Sequence, residues 1–157
     1  MMKMESNSLK RAIIVFESIY GNTKKVAEAI AQGVKNVSGT LVAVKSVEEG
    51  SVEEVIEADG YAFGSPSHFG IMSGRVLTFL TNLYSSREKI AGKPVAVFTT
   101  GAGGQVSVLE NINRVIGNFN PQFIMPGLAV GGKPKETDIQ QAIKLGEKIA
   151  QECLSKR

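Results

Sequence analysis

The residues best suited to chemistry in this chain are small, polar and rich in glycine. They fall in three short segments, each following an apolar run. The first is Ser18-Ile19-Tyr20-Gly21-Asn22-Thr23, which leads straight into a helical pattern. Hydroxyl and amide side chains beside a glycine let backbone N–H groups converge on an anion, and the positive end of a helix dipole adds to the attraction. An ordinary helix cap needs only one such residue; this segment supplies several. It has neither the lysine of a nucleotide P-loop nor a G-x-G-x-x-G pattern, so it suits a single phosphate held by backbone and hydroxyls.

The second segment is Gly64-Ser65-Pro66-Ser67-His68-Phe69-Gly70, continuing through Met72-Ser73-Gly74 into another helical pattern. A flat apolar ligand could rest against Phe69 and His68. Taken singly, Phe69 reads as a core residue folded under its loop and His68 as an exposed loop histidine. The third segment is Thr99-Thr100-Gly101-Ala102-Gly103-Gly104-Gln105, where glycines permit close backbone approach to a ligand.

The elements that must position these segments alternate between β-branched runs and helical stripes, the signature of parallel βαβ units. The runs are 12–16, 40–44, 60–64 and 95–99, with a last strand within 122–130. Pro126 assigns that last strand to an edge or a bulge. The stripes are Val26/Ala29/Ile30/Val34/Val37, Val76/Leu77/Leu80/Leu83/Tyr84, Val108/Leu109/Ile112/Val115/Ile116 and Ile139 through Cys153. Five strands thus alternate with four or five helices, and residues 11–157 read as one domain behind a polar extension, 1–10. In open parallel sheets ligands sit beyond the carboxyl ends of the strands, which is where all three segments lie.

Composition narrows the function classes. Of 157 residues, 43% are apolar and 21% charged, a globular balance. One cysteine and one histidine exclude an internal disulfide and leave little for a metal site, so no metal is expected and a reducing, cytoplasmic setting follows. The net charge of +3 is spread along the chain without tryptophan or clustered aromatics, which argues against nucleic acid. No apolar run is long enough for a membrane helix or a signal-peptide core.

Together the segments resemble the flavodoxin superfamily, and within it the branch of the tryptophan-repressor-binding proteins and NAD(P)H:quinone oxidoreductases. The most specific likeness is Gly64-Ser65-Pro66-Ser67-His68-Phe69-Gly70-Ile71-Met72-Ser73-Gly74, similar to that branch's G-[TS]-P-x-x-F-G-x-M-S-G. The resemblance implies an α/β, flavodoxin-like fold: a five-stranded parallel sheet in the order 2-1-3-4-5 with helices on both faces. It also implies FMN as cofactor, its phosphate held by Ser18, Tyr20, Gly21, Asn22 and Thr23. Pro66, Ser67, His68, Phe69 and Gly70 would line one side of the ring. Thr99, Thr100, Gly101, Ala102, Gly103 and Gly104 would approach the ribityl chain and the pyrimidine edge. The segment 131–135 is far shorter than the glycine-rich insertion of the quinone reductases, and the third segment is about a residue shorter than theirs.

Three functions follow. The first is electron transfer through bound FMN to a redox partner protein, with no catalytic side chain supplied by the chain. The second is two-electron reduction of a small quinone with NAD(P)H as donor. The third is a non-redox module that has lost the cofactor. Oligomeric state stays open between the monomer typical of flavodoxins and the homo-oligomer typical of the quinone reductases.

Overall fold

The computed structural model of the chain describes residues 9–156. Most of the expected polar extension, residues 1–8, lies outside these residues, and Lys10 already belongs to the first strand. The strands are β1 (Lys10–Phe16), β2 (Thr40–Ser46), β3 (Gly60–His68), β4 (Ile71–Met72), β5 (Pro94–Gly101), β6 (Gln122–Phe123) and β7 (Leu128–Gly131). The helices are α1 (Asn22–Lys35), α2 (Val52–Glu57), α3 (Gly74–Leu83), α4 (Gln105–Gly117) and α5 (Glu136–Ser155), with a 3-10 turn over Tyr84–Lys89.

The main sheet is parallel and runs β2-β1-β3-β5, with β6 and β7 both on the outer side of β5. β6 pairs with Pro94 and Val95, and β7 with Phe98 through Gly101. The two are halves of one outer strand, so the expected five positions and their order are present. The break falls at 124–127, around Pro126, which has no N–H to give a ladder. The additional strand β4 folds back antiparallel on the end of β3.

Alternation along the buried strands divides the core in two, as expected when helices cover both faces. Ala12, Ile14, Phe16, Ala62, Ala96 and Phe98 point toward α1 and α5. Ile13, Val15, Tyr61, Phe63, Val95 and Val97 point toward α3 and α4. On the first face the strand residues are often alanine, and Ala62 and Ala96 are register partners. Above them α1 and α5 nearly touch: a Cβ on Gly33 would stand 1.9 Å from Ile143 O, and one on Gly146 1.9 Å from Ile30 O.

Of the expected stripes, Val37 lies just beyond α1, and Leu77 and Tyr84 are exposed, while Phe79 takes a buried place in α3. The acidic stretch before β3 contains the short helix α2. Ser51 Oγ accepts from Glu54 N while Glu54 accepts from Ser51 N, a capping box that starts a helix with little apolar periodicity. Among the described residues no helix is long and apolar enough to cross a membrane.

Candidate functional site

Parallel register brings the ends of three strands together. Phe16 is level with Gly64, Ser65 with Thr99, and Pro66 with Thr100. The segments that follow these positions enclose a cavity of about 240 Å³, lined by Ile19, Tyr20, Asn22, Thr23, Pro66, Ser67, His68, Thr100, Gly101, Ala102 and Gly132.

The first segment is built around a helix start with a glycine in the cap position. Gly21 precedes α1 at φ +95°, a conformation that favours glycine, and no side chain caps the helix there. Ser18 Oγ instead accepts from the amides of Gly21 (3.1 Å) and Lys24 (3.2 Å), which folds the turn into shape. Lys24 N is itself a first-turn amide of α1, so Ser18 takes one of the amides that the glycine leaves uncapped, and among the described residues no side chain bonds the amides of Asn22 and Thr23. Thr23 and Thr100 are buried, and their hydroxyls pair at 2.7 Å across the cavity floor. One proton serves that pair, so lone pairs and a donor remain for a guest.

The second segment is a hairpin rather than an open loop. Ser67 pairs with Met72 and His68 with Ile71, leaving Phe69 and Gly70 as a two-residue turn at φ +58° and +79°. Both signs are those of a type I′ turn, which suits asparagine and glycine far better than phenylalanine. The Phe69 ring is fully exposed, so it is neither the core residue that its type suggested nor part of the cavity lining. His68 is half-buried: its Nε2 lies 3.8 Å from Glu17 Oε2, whose side chain is 13% exposed.

The third segment locks onto the second. Ser67 Oγ donates to Gly103 O at 2.8 Å and accepts from Gly70 N at 3.1 Å. A Cβ on Gly104 would come 2.6 Å from Gly70 Cα, so only glycine allows this approach. Thr99 is fully buried and donates to Gln105 O at 2.7 Å, shaping the turn into α4. Gln105 Oε1 is buried and, among the described residues, has no hydrogen-bond partner.

Of the sixteen residues expected at the site, Tyr20, Asn22, Thr23, Pro66, Ser67, His68, Thr100, Gly101 and Ala102 line the cavity. Ser18, Gly21, Thr99, Gly103 and Gly104 shape its loops from behind, and Phe69 and Gly70 form the hairpin tip beside it. Ile19 and Gly132 line the cavity without having been expected. Gly132 follows the outer strand, whose end Gly101 O holds through Gly132 N (2.8 Å). A larger trough of about 620 Å³ adjoins on the side of β2, lined in part by Glu17, Ser18, Lys24, Glu48 and Arg75. Among the described residues no group of His, Cys, Asp and Glu is arranged to hold a metal ion.

Residues 13–112 match the family described as flavodoxin domain. A flavodoxin of Aquifex aeolicus is 29% identical, covering 90% of this chain and 85% of its own. An NAD(P)H dehydrogenase (quinone) of Archaeoglobus fulgidus is 30% identical, covering 91% and 97%. The solved structure of a flavodoxin from the domain Archaea superimposes with a TM-score of 0.83 at 29% identity, covering 91% of this chain and 98% of that one.

Proposed function

This chain belongs to the flavodoxin domain family, and on that premise we propose that it binds FMN in the cavity between the three segments and passes electrons through it. The observation that carries the proposal is a helix start with a glycine in its cap position beside two buried, paired threonine hydroxyls, all in one cavity with glycine-rich walls. An anion is the natural partner of free first-turn amides. In this proposal the amides of Asn22 and Thr23, with the Thr23 hydroxyl, hold the phosphate, and Ser18 keeps that turn in place. Pro66, Ser67 and His68 flank the ring on one side, and Thr100, Gly101 and Ala102 approach from the other. The cavity alone is smaller than the roughly 300–1,000 Å³ of ordinary cofactor sites, so the ring extends toward the rim where Tyr20 and Phe69 stand exposed.

Bound there, FMN supplies one- and two-electron transfer; the chain contributes orientation, exclusion of water and backbone dipoles. The visible spectrum of purified protein before and after addition of FMN tests the proposal, with a flavin absorption band that stays with the protein on gel filtration as the expected result. Protein that remains colourless after loading would return the chain to a binding module without redox chemistry. Thr23→Ala should weaken FMN by about 1–2 kcal/mol, the usual loss for a hydrogen bond to a charged group, and leave riboflavin affinity unchanged. Equal losses for both flavins would place the phosphate elsewhere.

A second activity, two-electron reduction of a small quinone with NAD(P)H as donor, is favoured by the open rim. Ile19, Tyr20, Phe69 and Ile71 are all exposed around it, a surface suited to a flat apolar substrate. The quinone dehydrogenase relative matches over nearly its whole length. Steady-state assays with NADH or NADPH and benzoquinone separate the two. Turnover near 10 per second, the typical enzyme range, identifies the reductase; negligible turnover identifies a carrier for a redox partner protein. The single cysteine, buried and unpaired, fits a cytoplasmic setting.

A further inference from the structure

Glu17 is the most enclosed carboxylate near the cavity, yet it lies outside all three segments that the residue types single out. Its backbone continues β1 and its N–H donates to Gly64 O at 3.2 Å. Its carboxylate accepts the hydroxyl proton of Ser73, stands 3.6 Å from Arg75 Nε and 3.8 Å from His68 Nε2. Three side chains from the second segment and the start of α3 therefore converge on one group supplied by a neighbouring strand.

From Ser73 the connections continue into the cavity wall. Ser73 Oγ also accepts from Val76 N at 3.4 Å, as the cap of α3, so its own proton is free to go to Glu17. Ser73 N donates to Ser65 Oγ at 2.9 Å, and Ser65 Oγ donates to Pro66 O at 2.7 Å. Pro66 and His68, at the two ends of this arrangement, both line the cavity. Arg75 is held between Glu17 and Glu48, so one guanidinium faces both carboxylates.

We propose that Glu17 is a positioning residue for the ring side of the cofactor site. Through Ser73 and Ser65 it sets the carbonyl of Pro66, and by facing the imidazole directly it sets the orientation of His68. The inference rests on the flavin proposal for its functional meaning, while the placement of His68 is testable without it.

Flavin binding to Glu17→Ala and Glu17→Gln, measured by fluorescence quenching with FMN and with riboflavin, tests the first part. Glu17→Ala should raise both dissociation constants by the same factor, roughly tenfold, and alter the visible circular dichroism of the bound flavin. Glu17→Gln still offers Ser73 an acceptor and should recover most of the affinity. A loss confined to FMN, or unchanged constants in Glu17→Ala, would overturn the assignment. The chain has one histidine, so its ring resonance in NMR reports on His68 alone. In cofactor-free protein at fixed pH that resonance should move in Glu17→Gln, the shape-preserving variant that keeps the measurement available where Glu17→Ala does not fold. An unmoved resonance would overturn the role of Glu17. Wild-type protein that takes up neither flavin would remove the proposed function, and the NMR result would then decide on Glu17 alone.

Discussion

Phe69 shows what one residue can cost and what it can keep. An aromatic side chain at positive φ is uncommon, with a penalty of about 1–2 kcal/mol relative to residues that tolerate that region. Here it occupies the first central position of the β3–β4 turn with its ring in solvent. Phe69→Asn should therefore raise stability to urea unfolding by about 1 kcal/mol, and should raise KM for benzoquinone if the protein is a quinone reductase. Unchanged or lower stability would show that the ring packs in solution after all. The small hydroxyls Thr23 and Thr100 were legible in the sequence because their type and their place after apolar runs suffice to mark them. Glu17 was not. What distinguishes it is a bond to Ser73, 56 residues away, and no local pattern announces a partner at that distance. Gly132 was missed because only the pairing of β7 with β5 brings the end of the outer strand beside the first segment.

At the scale of elements, the contact between α1 and α5 is the tightest in the molecule for which glycine is responsible. Gly146→Ala would drive a methyl group to within 1.9 Å of Ile30 O and 3.0 Å of Gly33 Cα, so the helices must separate. A loss of about 3 kcal/mol is expected, the upper part of the usual range for overpacking, measured as a lower urea midpoint. A variant as stable as the parent would show that the two helices can slide apart freely. The stripe containing Gly146 was readable, since apolar residues recur at helical spacing from Ile139 to Cys153. The shape of the second segment was not, because a two-residue hairpin with phenylalanine in its turn contradicts the usual turn signals. The division of the outer strand was half-visible: Pro126 marked the irregularity, but only the ladder on β5 reveals two separate pieces.

For the whole molecule, the two ends of the sheet behave as separate chemical regions. The cavity lies at the carboxyl end, while Tyr61, Lys93 and Cys153 gather around Asp59 at the opposite end. Burial, reinforced by Asp59, pushes the Cys153 thiol up to about 12 and raises the Tyr61 phenol as well. The unfolded chain releases its thiol proton first, near the ordinary value of 9.0. Stability from this group is therefore complete below pH 9 and declines as pH climbs toward 12. The decline should be roughly 1 kcal/mol per pH unit. Burial lowers the Lys93 ammonium, which works in the opposite sense and offsets part of the decline. Urea unfolding at pH 8 and pH 10 should show a smaller alkaline loss in Cys153→Ser than in the parent; equal losses would mean the thiol ionises freely in the native protein. At the sheet's outer margin, the interruption between β6 and β7 carries a different benefit. A foreign peptide approaching that margin meets two residues of ladder, a gap, then four more, too short and too broken to template fibril growth.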